Sequence, residues 1–374
     1  MRFFEDFIEE LLKEGHQVDI ATNEDPKRGG YPVPEKYEKL GCRVYHIDIQ
    51  RTPFSGDTFK AIKEIRELVS REEYDIVHCH TPVAGVCTRL ACKNLRRERK
   101  NTGHPLRVFY TAHGFHFYKG SPKKNWIIYY PAEWLCAHYT DTLITINKED
   151  YGLAKSKFEG LGKSSLFSGC RVEYIPGVGI DVDKFANTVV DKAAKRKEIG
   201  VPEDAFLLLS VGELNENKNH QIVLKALGKL KEDGTLEEKN IHYAIAGEGD
   251  QKENLESLAK NLGIEDRFHL LGQRSDCPQL YKVADVFVFP SIREGLGLAA
   301  LEGMAAGLPL ICADNRGTRD FVQNGVNAIV CKCDDVDAFA KAILCDRFCK
   351  PSGMNRFSRK ESTLKQRKLY DQQQ

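Results

Sequence analysis

Two glutamates near the C-terminus have a spacing that suits a ligand rich in hydroxyls and phosphates. Glu294 and Glu302 have seven residues between them and directly follow an apolar strand predicted at 286–290. A glycine-broken loop presents Glu294, and a helix that starts near Leu298 carries Glu302 about one turn further on. The free N–H groups of a helix end favour phosphates, and carboxylates accept hydrogen bonds from sugar hydroxyls. The spacing predicts a sugar-phosphate site, with an ordinary exposed helix bearing two glutamates as the alternative.

Composition narrows the class of protein. At 374 residues the chain is too long for one compact core and suits two domains. Its 55 Lys and Arg nearly balance its 54 Asp and Glu, so bulk charge does not indicate a nucleic-acid partner. Twelve cysteines form no C-x-x-C pair and lie scattered in apolar segments, which predicts free thiols in a reducing cytosol and no metal site.

Membrane and export signals also inform the expected location. No apolar run approaches the roughly 20 residues that span a bilayer. Glu5 and Asp6 lie where a signal peptide would have its apolar segment. We therefore expect a soluble, cytoplasmic protein, with peripheral contact at the inner face of the membrane left open.

Strand-like and helix-like segments alternate along most of the chain. Short β-branched or aromatic runs followed by amphipathic stretches predict an α/β fold, with parallel sheets covered by helices on both faces. The alternation pauses in a connecting stretch at 177–190 and then restarts. The restart predicts two similar domains, 1–186 and 187–345, with a ligand cleft at the carboxyl ends of their strands. Residues 346–374 would be a polar tail or a crossover helix.

The N-terminal segment departs from this alternation. Residues 1–13 form an amphipathic helical pattern, and Gly15 ends it before any strand occurs. A domain of this kind normally begins with a strand and a glycine-rich turn. We therefore expect the N-terminal sheet to lack its first strand, which usually lies centrally, and to expose a backbone edge.

Further motifs accompany the two glutamates in a fixed order. They are Thr111-Ala112-His113-Gly114-Phe115, Tyr-Ile-Pro-Gly-Val-Gly-Ile-Asp at 174–181, Gly-Glu-Leu-Asn-Glu-Asn-Lys-Asn-His at 212–220, Ala-Gly-Glu-Gly at 246–249 and Ala-Ala-Gly-Leu-Pro-Leu-Ile at 305–311. With these motifs the chain resembles the family 4 glycosyltransferases, a retaining group with the GT-B fold, and within it bacterial exopolysaccharide and capsule transferases. The resemblance covers roughly residues 1–345. It implies two Rossmann-like domains, a donor nucleotide on the C-terminal one, and no metal or cofactor, since the nucleotide sugar is a substrate.

The resemblance also implies roles for individual residues. Glu302 would hydrogen-bond the donor ribose, and Glu294 the sugar that is transferred. Lys218 would contact the diphosphate, and His113 would project toward the sugar from the N-terminal domain, so the implied catalytic residues are His113, Lys218 and Glu294. The rest of the donor site would comprise Gly212, Gly247, Gly249, Gly272, Gln273, Gly295, Leu296, Gly297 and Leu298.

One position departs from the family pattern. Many members have an arginine directly after the glycine equivalent to Gly212, whereas this chain has Glu213. Lys218 would then offset more of the diphosphate charge, or Arg274 or Arg316 would help. A fixed ammonium and helix N-termini can offset the charge of a departing diphosphate without a divalent cation.

The expected reaction is sugar transfer with retention. The departing phosphate oxygen can take the acceptor proton when the acceptor attacks from the leaving-group face. We favour this route over double displacement because no second carboxylate is obviously placed as a nucleophile. The donor would be a nucleotide diphosphate sugar, preferably a UDP-sugar, and the acceptor a saccharide or lipid-linked molecule in polysaccharide synthesis. The alternatives are a nucleotide-sugar epimerase or hydrolase, and a catalytically impaired binding partner that lacks the first glycine-rich turn.

Two segments combine the side chains that suit an anionic membrane surface. The first runs from Lys93 to Lys100 and is basic. The second runs from Tyr118 to Trp134 and interleaves lysines with aromatic residues. Such residues suit an interface that presents a lipid-linked acceptor. The alternative is a solvated face and a buried aromatic seam.

Overall fold

The computed structural model describes residues 5–26, 30, 32–49, 57–177, 179–345 and 354–371. The chain divides into two compact units, residues 1–178 together with 362–374, and residues 179–361. The sequence-based division between 186 and 187 falls at the end of a short helix of the second unit, Val182–Asn187. That helix lies in the stretch that the sequence analysis interpreted as a connection. The helix is too short for its periodicity to be recognised in the sequence.

The first unit alternates helices and parallel strands. Its elements are α1 (Glu5–Lys13), β1 (Asp19–Thr22), α2 (Lys36–Lys39), β2 (Arg43–His46), α3 (Asp57–Glu72), β3 (Ile76–His80), α4 (Pro82–Glu98), β4 (Arg107–Ala112), α5 (Lys123–Ala137), β5 (Thr142–Thr145), α6 (Lys148–Lys157) and β6 (Arg171–Tyr174). Helix α3 buries Ala61, Ile65 and Leu68 because that spacing places them on one face, which packs against α4 and β4. The chain therefore begins its described structure with a helix, as expected.

The strands of this unit form two sheets. Strands β1 and β2 pair with each other, and β3, β4, β5 and β6 form a second sheet in that order. All the pairs are parallel. Among the described strands, β1 and β3 each have a hydrogen-bonded neighbour on one side only. The described strands of this unit therefore belong to two separate sheets.

The second unit has one continuous sheet. Its elements are α7 (Val182–Asn187), α8 (Lys192–Glu198), β7 (Phe206–Val211), α9 (His220–Glu232), α10 (Thr235–Glu238), β8 (Ile241–Ala246), α11 (Lys252–Asn261), β9 (Phe268–Leu270), α12 (Cys277–Val283), β10 (Val286–Phe289), α13 (Leu298–Ala305), β11 (Leu310–Ala313), β12 (Ile329–Cys331), α14 (Val336–Ile343) and α15 (Arg359–Asp371). The six parallel strands lie in the order β12-β11-β10-β7-β8-β9. From residue 362 onward, α15 belongs to the first unit.

The order of the strands determines which loops meet. Strands β7 and β10 are neighbours, and β8 lies on the other side of β7. Because the strands are parallel, the loops after all three emerge at the same edge of the sheet. Those loops carry most of the residues that the sequence assigned to a donor site.

Candidate active site

Lys218 and Glu294 form a direct ion pair at this edge. The Lys218 Nζ lies 2.7 Å from Glu294 Oε1, and both side chains are partly buried. Lys218 ends a one-turn 3₁₀ helix (Glu216–Lys218) after β7, and Glu294 lies in the loop between β10 and α13. The structure thus brings together two residues that lie 76 positions apart in sequence. The sequence assigned both to the donor site but did not predict that they pair with each other.

Asparagine side chains position Lys218. Asn215 caps the 3₁₀ turn by accepting a hydrogen bond from the Lys218 amide, at 3.0 Å. The Asn217 side chain donates to the Arg293 carbonyl at 2.9 Å, and the Ile292 amide donates to the Asn217 carbonyl at 2.8 Å. Asparagine suits these positions because its amide can both donate and accept. The turn and the Glu294 loop are therefore tied by backbone contacts as well as by the ion pair.

A chain of hydrogen bonds anchors the start of α9 behind Lys218. His220 Nδ1 lies 3.1 Å from the Tyr243 hydroxyl, which lies 2.8 Å from Ser210 Oγ, and Ser210 in turn donates to the Val288 carbonyl at 2.5 Å. A carbonyl only accepts, so Ser210 must donate to it and Tyr243 must donate to Ser210. His220 Nδ1 therefore carries a proton. Burial lowers the pKa of His220 to about 4, so the ring is neutral at pH 7.

Glu302 is oriented by a buried tyrosine. It lies in the second turn of α13, and its Oε2 accepts a hydrogen bond from the Tyr281 hydroxyl at 3.0 Å. The same hydroxyl lies 3.2 Å from the Ala299 carbonyl. Burial raises the pKa of Tyr281 well above its usual value, which keeps the hydroxyl protonated as a donor. Tyr281 was not identified from the sequence because no spacing relates α12 to α13.

Close backbone approaches explain two of the glycines. A Cβ on Gly247 would lie 1.9 Å from the Gly212 carbonyl oxygen, and one on Gly249 would lie 2.3 Å from that of Leu214. The loop after β8 is therefore packed directly on the loop after β7. Gly272 extends this stack, since it forms a bridge with Gly247. The amide of the next residue, Gln273, points to Glu248 Oε1 at 3.4 Å.

Glycines also shape the loop that carries Glu294. Gly297 precedes α13 with φ +95°, and a Cβ there would lie 2.9 Å from the Phe289 ring. A Cβ on Gly317, in the loop after β11, would lie 2.9 Å from Glu294 Cβ and from the Leu296 carbonyl oxygen. Gly295, Leu296 and Leu298 complete the loop and the first residue of α13. Gly317 was not predicted, and only its place after a neighbouring strand could have indicated it.

The two arginines proposed to assist Lys218 have different surroundings. Arg316 is buried and donates from Nε to the Glu294 backbone carbonyl at 3.2 Å. Arg274 instead contacts Asp276 at 2.6 Å and Glu198 at 2.5 Å. Its charge is therefore already compensated by carboxylates. Arg316 therefore contacts the loop that carries Glu294, whereas Arg274 belongs to a separate ion-pair cluster.

His113 lies in the first unit, in a cluster of half-buried histidines on β3 and after β4. Its Nε2 lies 3.2 Å from His80 Nδ1, and the His80 ring packs on the His78 ring with centroids 4.3 Å apart. His78 Nδ1 lies 2.6 Å from the hydroxyl of Tyr370 on α15. Burial lowers the pKa of His113 to about 4 and that of His78 to about 3. His113 is therefore neutral at pH 7 and can form hydrogen bonds without acting as a cation.

No group of three or more His, Cys, Asp and Glu side chains in the described ranges is arranged to hold a metal ion.

The second unit presents a cation, Lys218, two carboxylates, Glu294 and Glu302, and the start of α13 at one edge of its sheet. This is chemistry that can bind a phosphorylated sugar.

Comparison with known proteins identifies the family. Residues 191–345 match the model described as glycosyl transferases group 1, and residues 2–147 match the glycosyl transferase 4-like model. The chain is 41% identical over 331 residues to the glycosyltransferase EpsD of Bacillus subtilis (strain 168), covering 88% of this chain and 79% of EpsD. The chain belongs to the family 4 glycosyltransferases.

Further relatives agree with this family. An alpha-1,3-galactosyltransferase of Escherichia coli, named for UDP-Gal and alpha-D-GlcNAc-diphosphoundecaprenol, is 29% identical over 286 residues, which is 76% of this chain and 69% of that enzyme. Sucrose-phosphate synthase of Thermosynechococcus elongatus superposes with a TM-score of 0.74 at 19% identity, covering 99% and 92% of the two chains. Anabaena HepE in complex with UDP and glucose superposes with a TM-score of 0.71 at 17% identity, covering 98% and 94%. The predicted GT-B fold, built from two Rossmann-like domains, is confirmed, and the protein is a glycosyltransferase.

Proposed function

We propose that this glycosyltransferase moves a sugar, with retention, from a UDP-sugar to a saccharide or lipid-linked acceptor in polysaccharide assembly. The single observation that carries the proposal is the Lys218–Glu294 ion pair at the shared edge of β7 and β10. The names of two relatives support the finer points. The likeness to EpsD suggests a role in exopolysaccharide synthesis. The E. coli enzyme is named for a UDP-sugar and for a sugar that a diphosphate links to a lipid.

The ion pair would be exchanged for contacts with the donor. Without a donor, each charged group of Lys218 and Glu294 is compensated by the other at 2.7 Å. A bound diphosphate would compete for the Lys218 ammonium, which would release the Glu294 carboxylate to accept hydrogen bonds from the sugar hydroxyls. The buried Arg316, which donates to the Glu294 carbonyl, would help to hold that loop in place while the pair opens.

Glu302 would bind the donor ribose through its carboxylate. Tyr281 already engages one carboxylate oxygen and so orients the group before the donor arrives. Orientation in advance reduces the entropy lost on binding. The loops at Gly212, Gly247, Gly249, Gly272 and Gln273, which lie together at this edge, would form the wall of the nucleotide pocket.

The chemical step would need no protein nucleophile. The bond between the anomeric carbon and the phosphate oxygen breaks, and the acceptor oxygen forms a new bond to that carbon on the same face. The acceptor proton passes to the departing phosphate oxygen, which leaves as part of UDP. Lys218 and the start of α13 would offset the charge that grows on the diphosphate. A neutral His113 would contribute a hydrogen bond to the sugar.

A lipid-linked acceptor would bring the protein to a membrane surface, and we place it in the cytoplasm, at the inner face of the membrane. Within the described residues, no helix combines the length and the apolar character needed to cross a bilayer. The membrane contact that we propose is peripheral.

The test is a donor screen with EDTA present. The full chain is incubated with UDP-sugars, and with GDP- and ADP-sugars as controls, with and without a lipid-diphosphate-linked sugar acceptor. We expect UDP release that depends on acceptor, and a product whose anomeric configuration by NMR equals that of the donor. Release of free sugar or an epimerised donor without acceptor would instead establish the hydrolase or epimerase alternative. An inverted product would contradict the proposed chemistry.

A further inference from the structure

Helix α5 has an apolar face that is exposed to solvent. Ile127 is 74% exposed, Ile128 43%, Trp134 42% and Leu135 45%. Their spacing places them along one side of the helix, with the exposed Pro131 between them. Single exposed apolar residues are ordinary, but a continuous row on one helix face indicates a contact surface. We call these five residues the α5 stripe.

The opposite side of α5 holds the helix in place. Trp126 packs on Phe117 with ring centroids 5.5 Å apart, and Tyr130 packs on Phe158 at 5.8 Å. Glu133 is buried and lies 2.9 Å from the guanidinium of Arg89. The aromatic seam expected from the sequence is therefore real but occupies only this inner side. Ile127 is mostly exposed, and the ring contact of Trp134 is with His138, at a centroid distance of 4.5 Å, so changing these two residues should leave the inner packing of α5 intact.

The exposed Lys and Glu or Asp charges of the segment from Tyr118 to His138 have one sign. Lys119, Lys123 and Lys124 are exposed at the start of the helix. From Tyr118 to His138 the only acidic residue is Glu133, which is buried against Arg89. Lysines at a helix N-terminus oppose the helix dipole, so helix stability does not explain their position. The surface is thus apolar and aromatic with a basic end, and it has no exposed carboxylate of its own.

The other basic segment, from Lys93 to Lys100, is less suited to an outside partner. The buried Arg96 donates from Nε to Asp141 at 2.7 Å. Arg99 donates to the backbone carbonyls of Tyr74 at 2.9 Å and of His104 at 2.6 Å. Much of this positive charge is therefore used within the unit.

We propose that the α5 stripe docks on an anionic lipid surface. Ile127, Trp134 and their neighbours would enter the boundary between headgroups and acyl chains, and the three lysines would contact lipid phosphates. A second copy of the chain fits less well, because it would bring the same lysines and no carboxylate to the contact. The inference deepens the proposed function. It rests on that function only through the lipid-linked nature of the acceptor.

The test is sedimentation of the full chain with lipid vesicles. Vesicles of phosphatidylcholine alone are compared with vesicles that also contain phosphatidylglycerol. We expect binding to the anionic vesicles and at least about tenfold weaker binding for Ile127→Ser/Trp134→Ser and for Lys123→Glu/Lys124→Glu. Glutamates at the start of a helix favour the helix, so the charge variant should remain folded.

Matched controls exist elsewhere on the chain. Phe59→Ser removes an apolar side chain that is 81% exposed on α3. Lys192→Glu/Lys252→Glu reverses two exposed lysines that each begin a helix, α8 and α11. Both controls should bind as the parent does. Equal binding by the stripe variants and the parent, or no binding to anionic vesicles, would overturn the proposal.

Two further readouts separate this proposal from the others. A dimer of the parent in solution that Ile127→Ser/Trp134→Ser dissociates would assign the α5 stripe to a second copy and overturn the lipid assignment. Binding of UDP does not involve α5, so it should be unchanged in every stripe variant. Loss of vesicle binding with intact UDP binding therefore separates failure of the docking surface from failure of the donor site.

Discussion

The two units share an α/β plan but differ in how their sheets are connected. The second unit has six parallel strands in one sheet, whereas the described strands of the first form a pair, β1–β2, and a separate set of four. In the second unit, the strand order brings the Lys218 and Glu294 loops to one edge, where hydrogen bonds of Asn217 join them. In the first unit, side chains must connect the two sheets. A site built on a continuous sheet is positioned by backbone hydrogen bonds between strands. The two sheets of the first unit depend instead on contacts between side chains.

Asp19 shows how the divided sheet is connected. Its carboxylate, on β1, is buried, pairs with Arg43 on β2 at 2.6 Å, and accepts a hydrogen bond from Tyr74, which precedes β3. Arg43 also contacts Glu72 on α3 at 2.7 Å. Apolar residues near β2, such as Ile47, pack in the same core as α3 and α4. The first unit should therefore respond more strongly than the second to the loss of individual side chains.

The largest effect should follow removal of the ion pair in the second unit. Lys218→Ala and Glu294→Ala should each lower the transfer rate by at least about 100-fold, because Lys218 offsets the charge of the departing diphosphate and Glu294 holds the sugar in place. Lys225→Ala, an exposed lysine on α9, is the matched control and should be near normal. The measurement is UDP release under saturating donor. Hydrogen exchange of β3–β6 should not change, and turnover near normal would remove the pair from catalysis.

Acidification should destabilise the first unit. Burial lowers the pKa of His78 to about 3, of His113 to about 4, and of His80 well below its usual value. The unfolded chain therefore binds protons that the folded unit does not, so stability falls as pH drops below about 6.5 and continues to fall toward pH 4. Each such histidine contributes up to about 1.4 kcal/mol per pH unit.

The acid effect can be followed by hydrogen exchange at pH 7 and pH 5.5. Protection of β3–β6 should fall at pH 5.5, and that of β7 and β8 should fall too, because burial lowers the pKa of His220 and of His242 to about 4. Unchanged protection of β3–β6 would contradict the protonation expected for the histidines of the first unit.

Gly247→Ala should destabilise the second unit through the backbone. The added Cβ would lie 1.9 Å from the Gly212 carbonyl oxygen, so the loop after β8 must move. We expect a loss of about 2–3 kcal/mol in the free energy of unfolding, with weaker UDP binding. Gly152→Ala is the control, because this glycine lies in α6 with open space around it. The change should raise the free energy of unfolding by up to about 1 kcal/mol. Denaturant unfolding measures both, and an unaltered Gly247→Ala would exclude the close approach.

Asp19→Asn should give the smallest of these effects, confined to the first unit. Although burial opposes it, hydrogen bonds from Arg43 and Tyr74 hold the pKa of Asp19 below its usual value, so the carboxylate is charged at pH 7. Neutralising it should cost about 1–2 kcal/mol of unfolding free energy and raise hydrogen exchange in β1 and β2. UDP binding should be unaffected. A loss of protection that appears in β7–β12 instead would show that the units are not independent in this respect.

Features with a local sequence signal could be predicted. The helix after Gly297 was expected near Leu298, where α13 begins, because a strand, a glycine-rich loop and a helical pattern follow one another directly. Helix α1 was expected from the amphipathic pattern of residues 1–13. Gly247 and Gly249 were predicted as pocket residues, and the structure adds the close approaches that require glycine.

Partners across long separations could not be predicted. The pairing of Lys218 with Glu294, the contact between Tyr281 and Glu302, and the difference between Arg274 and Arg316 depend on side-chain positions that no spacing encodes. Helix α5 illustrates the same limit, because aromatic and apolar residues occur on both of its sides. Only the packing of Trp126 and Tyr130 shows which side is buried and leaves Ile127 and Trp134 outside.

The most direct test of the donor site is calorimetric titration of the full chain with UDP, with GDP and ADP as controls and EDTA throughout. The proposed UDP-sugar donor predicts binding of UDP in preference to GDP and ADP. The assignment of Glu302 to the ribose predicts that Glu302→Ala abolishes this binding, whereas Glu216→Ala, an exposed glutamate beside Lys218, retains it. A folded chain that binds no UDP, or that binds it equally well in Glu302→Ala, would contradict the placement of the donor at the edge of β7 and β10.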